Sequence, residues 1–284
     1  MKLLPLYIAV IYKKRALPIY WQVLNKKGSS NLAEQQAIIK PVLRLLKQDE
    51  LVILGDREFH GVELSYWLKK QKSSQKIYFI FRQKQGTNLR KPKKEYQKLS
   101  SLGIKPGHQL FLKNIKITKN KGFGYFNLAG YWKRKYNKKV EPEPWYLLTN
   151  LDNCQEVIKL YRSRMGIEAM FKDCKTGGYN LEGSQANTQR LTNLILLIAL
   201  AYTASVLKGK SIKNSGHQKY IARLTEAQRV TQRDSNFWLG LYGELWIIAW
   251  DFLVELVRDM MNLASHKMPH YQRGIKAMNL IKLG

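Results

Sequence analysis

The chain has 284 residues, 45% of them hydrophobic, which is enough to bury a core in one large or two modest domains and excludes a disordered basic tail. Its 49 Lys and Arg against 20 Asp and Glu leave a formal charge of +29, a surface suited to a polyanion, with nucleic acid first and an anionic membrane surface second. Two cysteines, Cys154 and Cys174, supply no disulfide framework and fit a reducing, intracellular compartment.

The start "MKLLPLYIAVIY" has the basic residue and apolar run of a signal peptide, but "KKRALP" stands where a small-residue cleavage site would lie, so it reads as a strand. With "ALPIYWQV" it predicts a hairpin. In "GSSNLAEQQAIIKPVLRLLKQ", Ser30 or Asn31 can cap a helix with apolar residues at three- and four-residue steps, and Pro41 should kink it or mark its restart. Four apolar residues, Leu51 to Leu54, then predict a strand buried on both faces, ending at Gly55 and Asp56. Asp56 is thereby put at a strand's carboxyl end, where mixed α/β sheets hold their chemistry. Residues 61–70 read as a short helix and "KIYFIF" as another strand.

Residues 69 to 139 hold 21 Lys and Arg and one acid, Glu95, with turn pairs between short aromatic runs such as "GYFNLAGYW". This predicts a β-rich, lysine-rich insertion. Helical patterning returns at about Asp152 and continues to the end. The apolar run from Leu194 to Leu207 is shorter than a bilayer requires, and Leu245 to Val257 contains Asp251 and Glu255, so neither is read as a membrane span.

Within "YRSRMGIEAMFKDCK", Tyr161, Arg164, Glu168 and Lys175 are offset by 3, 7 and 14 residues and fall within about 60° of one another on a continuous helix. A carboxylate flanked by two cations and a phenol suits a divalent ion on Glu168, with Asp56 as second ligand, and phosphates on Arg164 and Lys175. The same spacing suits an exposed face of ion pairs, Glu168 and Lys172 being i, i+4, and Asp56 also suits an Asx-type turn.

The pattern Tyr161-x2-Arg164-x3-Glu168-x6-Lys175 resembles the YREK signature of DDE transposases of the insertion-sequence-four type. "DREF" at Asp56 resembles the segment with that family's second catalytic aspartate, and "RALPIYWQVLNKKGSSNLAEQ" and "EPWYLLTN" extend the likeness from Met1 to about Gly183. The resemblance implies an α/β fold, a ribonuclease-H-like mixed sheet with flanking helices, a β-rich basic insertion and a helical C-terminal region. The expected divisions are 1–82 and 151–207 for the core, 83–150 for the insertion and 208–284 for the C-terminal region. It implies further that Asp56 and Glu168 are catalytic metal ligands for two Mg²⁺ (or Mn²⁺) ions. Arg57, Tyr161, Arg164 and Lys175 would contact DNA. The implied partners are double-stranded transposon-end and target DNA and a second copy of the chain, with no membrane, and the implied location is cytoplasmic, on a prokaryotic nucleoid.

Relatives carry a first catalytic aspartate on a central strand, upstream of the segment resembling "LYIAVIYKKRALPIYW"; here no Asp or Glu precedes Glu34. The expectation is a truncated or mis-started transposase copy, inactive by itself, with two apolar strands left open at their edges. A non-catalytic DNA-binding derivative and a membrane-surface protein are the alternatives. Glu58 and Glu63 are expected to be solvated or paired with Lys69 or Lys70, and Pro269 argues against His266 and His270 as a metal pair. Phe123, Tyr125, Phe126, Tyr131 and Trp132 interleave with cations, a pattern that stacks bases or packs a small sheet.

Overall fold

Apolar residues on both sides of a lysine pair make the first element a hairpin: β1 (Leu4–Tyr12) runs antiparallel to β2 (Arg15–Leu24), as the sequence predicts. Lys13 and Lys14 form the two-residue turn, both at positive φ (46° and 66°). Pro18 cannot donate to a ladder, and the register shifts there, with Ile8 opposite Tyr20 and Ala9 opposite Pro18. The computed structural model describes residues 3–71, 75–92, 94–119, 123–134, 141–177, 181, 184, 186–221, 234–243, 258–259 and 262–283.

Helix α1 (Leu32–Leu45) opens with a capping box: the Asn31 side chain accepts from Glu34 N–H, and the Glu34 carboxylate accepts from Asn31 N–H. It runs on through Pro41 and buries Gln35, Ile38, Ile39 and Val42 along one face. Strand β3 (Leu51–Gly55) follows, then a 3₁₀ turn (Arg57–Phe59), α2 (Val62–Lys69) and β4 (Ile77–Arg82), which pairs parallel with β3.

The insertion strands do not form a separate sheet. Strands β5 (Asn88–Arg90), β6 (Tyr96–Lys98), β7 (Gln109–Ile117) and β8 (Tyr125–Tyr131) join β9 (Trp145–Thr149) in one seven-stranded mixed sheet, ordered β3-β4-β9-β8-β7-β5-β6. Pleating sends Phe79 and Phe81 to one face, in a core shared with Leu6, Leu24, Ile38 and Leu64, and Ile80 to the other, with Leu147, Val157 and Tyr161. The fold is mixed α/β, with α1 and α2 on the first face and α3 (Cys154–Ser163) on the second.

Strand β3 corrects one expectation. Leu51 to Leu54 are half-buried, because β3 stands at the end of the sheet with β4 as its only strand partner among the described residues. Strand β1 likewise has β2 as its one strand partner among the described residues, in a sheet of two.

The chain divides into two compact units, Met1–Glu168 and Ala169–Gly284. In the second, α5 (Thr188–Asn214) crosses the helical residues 236–243 at Gly209 and Gly240, where a Cβ on Gly209 would lie 1.7 Å from the Asn236 carbonyl oxygen. Tyr202 is fully buried there, stacked on Phe237 at 5.0 Å, with its hydroxyl donating to Asp173. Because α5 continues beyond Leu194–Leu207 at both ends, its 27 residues are long and apolar enough to cross a bilayer by length and composition. The segment Leu245–Val257 lies outside the described residues. His266 and His270 fall on a 3₁₀ turn and on the final helix (Met268–Leu283), with the Nδ1 of His270 2.7 Å from an Arg273 guanidinium nitrogen.

Candidate nucleic-acid site

Gly55 is in register with Phe81, so Asp56 and Arg82 are the next residues along two parallel neighbours. A Cβ at Gly55 would come within 2.7 Å of the Phe81 ring and 2.8 Å of Phe59 Cβ. Glycine thus lets the chain turn tightly into the 3₁₀ segment. Asp56 caps that segment, accepting from Glu58 N–H at 2.9 Å, and is exposed beside exposed Arg57. It therefore does make the Asx-type turn.

Glu58 is neither solvated nor paired with a lysine. The 3₁₀ turn aims it back at the start of α1, where it accepts from Ser30 N–H (3.0 Å) and the Ser30 hydroxyl (2.7 Å). Its carboxylate is committed to structure.

The Tyr161–Lys175 stretch is not one continuous helix. Helix α3 ends at Ser163 and α4 (Met165–Thr176) begins after Arg164, which caps α3 and whose carbonyl accepts from Ile167 N–H in a tight i, i+3 step. Two residues on, Gly166 lies close against the hairpin, with an ideal Cβ 3.1 Å from the Arg15 carbonyl carbon. The single stacked face expected from helical spacing is thus split between two helices.

Tyr161 is 3% exposed, its ring edge-on to Trp145 at 5.1 Å in the core of the second face. Arg164 lies over that ring, 5.8 Å from its centroid, and is ion-paired with Glu168. Burial raises the Tyr161 phenol pKa; the charges of Arg164 and Arg82 oppose that rise and Asp56 adds to it. Of the two carboxylates, Glu168 contacts the Arg164 that lies over the Tyr161 ring. Lys175 is exposed on the last turn of α4, in the second unit.

Arg82 and Glu143, to which the sequence assigns no role, join the group. Arg82 and Arg57 both pair with Glu143, the first residue of the "EPWYLLTN" run, where the available signal was a charged residue bordering an apolar strand. On the insertion strands, Phe126 is buried with Lys69 over its ring, whereas Tyr125 is exposed beneath Lys116. Tyr131 receives a hydrogen bond from Arg162, and Trp132 donates to the Glu141 carbonyl. Lys121 and Lys135, two of the cations that interleave with these aromatics in the sequence, lie outside the described residues.

Residues 6–204 match the Transposase DDE domain family. The chain belongs to that family. In this DDE transposase-family chain the matched region contains Asp56, Glu143, Tyr161, Arg164, Glu168 and Lys175 together. Among solved structures, the piggyBac transposase synaptic complex with hairpin DNA, determined by cryo-EM, is similar at TM-score 0.46 and 13% identity, over 85% of this chain and 45% of that one. The chain thus spans under half the length of that relative. Among curated proteins none matches.

DDE transposases generally use divalent metal ions, which sets a test for this transposase-family chain. Among the described residues no three His, Cys, Asp or Glu side chains are grouped to hold a metal. Glu168 is taken up by Arg164, and one oxygen of Asp56 by its turn. The residues present do not fit a two-ion site on their own.

Proposed function

We propose that this chain is part of the catalytic region of an insertion-sequence-four-type DNA transposase, built on a ribonuclease-H-like core, and that the chain alone does not cut DNA. The observation that carries the reading is the Transposase DDE domain match over residues 6–204, which takes in Asp56 at the end of β3 and Glu168 paired with Arg164 over the Tyr161 ring. Arg57, Arg164 and Lys175 contact the DNA backbone. Tyr161, buried under Arg164, acts through that arginine. The partners are double-stranded transposon ends and target, bound by two copies of the chain, in a prokaryotic cytoplasm.

The third carboxylate is carried by a strand lying between β1 and β3. Support comes from the half-buried apolar run Leu51–Leu54 and from the single strand partner that each of β1 and β3 has among the described residues. Only with that strand does the dependence on Mg²⁺ or Mn²⁺ arise.

The test is nicking of a supercoiled plasmid with Mn²⁺ or EDTA, by the 284-residue chain and by a fusion carrying an upstream strand with an Asp, each beside Glu168→Gln. The expected result is cutting by the fusion alone, abolished by Glu168→Gln. Metal-dependent cutting by the unfused chain would refute the missing-carboxylate reading. A fusion that binds DNA without cutting would favour the second reading, a non-catalytic DNA-binding derivative, whose support is that no three metal-ligating side chains are grouped among the described residues.

A further inference from the structure

Glu143 lies in the short segment 141–144 that returns the chain from the insertion to β9. Its side chain is 15% exposed and has three donors. Arg57 and Arg82 both address Oε1, Arg82 at 2.8 Å, and the Gln85 amide donates to Oε2 at 2.6 Å. The Arg82 side chain is only 18% exposed. Burial and the charges of Arg57 and Arg164 disfavour its cationic form, while Tyr161 and Glu143 favour it.

Two guanidinium groups at one oxygen repel each other unless a carboxylate holds them. The three charges come from three parts of the chain: the turn after β3, the end of β4 and the residues before β9. One carboxylate shared by two cations leaves the three-residue group at +1 (2 − 1), with Asp56 next to it in the chain, on planar groups whose N–H forks match phosphate oxygens.

We propose that Glu143 is a positioning residue, holding Arg57 and Arg82 as a seat for one backbone phosphate of bound DNA and tying that seat to the exit of the insertion. The proposal rests on the reading of the ligand as DNA. Glu143 itself does not touch the DNA. Changes in the insertion reach the strand ends through it.

The experiment is titration of a short duplex DNA with the full 284-residue chain across a salt series, for wild type, Glu143→Gln, Glu143→Asp, Arg57→Ala and the double variant Arg82→Met/Glu143→Leu. Glu143→Gln raises the formal charge from +29 to +30 (29 + 1), so a carboxylate that merely dilutes the positive surface predicts tighter binding. A positioning role predicts the opposite sign. Loss of one phosphate contact lowers the salt slope by about 0.9 and, at about 0.15 M salt, affinity by about fivefold. Glu143→Asp keeps the carboxylate and should stay within about twofold of wild type, and Arg57→Ala should match Glu143→Gln.

The double variant removes a buried cation together with its partner, so it folds without an uncompensated charge and should show the same loss. A folded Glu143→Gln that binds as tightly as wild type or more tightly overturns the proposal. If Glu143→Gln does not fold, wild-type affinity in the double variant overturns it. Wild-type chain that binds duplex DNA no better than polyglutamate sinks the DNA reading itself, and this inference with it; any other failure sinks the inference alone.

Discussion

Tyr161 separates packing from DNA contact through a pair of substitutions. Tyr161→Ala removes a ring that is 3% exposed in the core between the sheet and α3. Truncating a buried aromatic costs about 3 to 5 kcal/mol, and losing the edge-on contact with Trp145 at 5.1 Å adds about 1 kcal/mol to the low end, giving about 4 kcal/mol. Tyr161→Phe keeps the ring and removes only a buried hydroxyl with no well-formed hydrogen bond among the described residues, so stability should change by less than about 1 kcal/mol. Urea unfolding followed by tryptophan fluorescence measures both. DNA affinity of Tyr161→Phe should stay within about twofold, because the ring under Arg164 is kept and the buried hydroxyl does not reach the DNA backbone. A cost under about 1 kcal/mol for Tyr161→Ala would refute the packing argument, and a tenfold affinity loss in Tyr161→Phe would refute the indirect role.

Two further predictions concern the second unit. Gly209→Ala puts a methyl carbon 1.7 Å from the Asn236 carbonyl oxygen, so the crossing must open by more than an ångström and loosen the Tyr202–Phe237 stack; thermal melts should show a loss of at least about 3 kcal/mol. Burial, and then Asp173, push the Cys174 thiol up to about 11. The fold favours the neutral thiol, so its stabilising contribution is complete below about pH 9 and is lost as pH rises toward about 11. Unfolding midpoints between about pH 8 and 10.5 should fall more in wild type than in Cys174→Ala, and equal falls would contradict the assignment.

Features governed by neighbouring residues could be read from the sequence. The hairpin, the Asn31 cap, β3 with Asp56 at its end, and the spacing from Tyr161 to Lys175 all follow from local pattern or short motifs. Features set by distant registers could not. The close approach of Gly166 to Arg15, some 150 residues earlier, is one such feature, and no helix propensity encodes it. The Arg57–Glu143–Arg82 group depends on β4 being flanked by β3 on one side and β9 on the other. The half-burial of Leu51–Leu54 depends on which strand stands beside them, and a run of four apolar residues does not say.

Gly166 also restricts how this protein can change. Its backbone contact with Arg15 links the start of the Glu168 helix to the hairpin turn, so any side chain at 166 must be accommodated by moving one or the other. Substitutions around Lys13–Ala16, distant in sequence from the carboxylate, would then register as small displacements of Glu168. In a population of variants, positions 15, 16 and 166 should be inherited as a set.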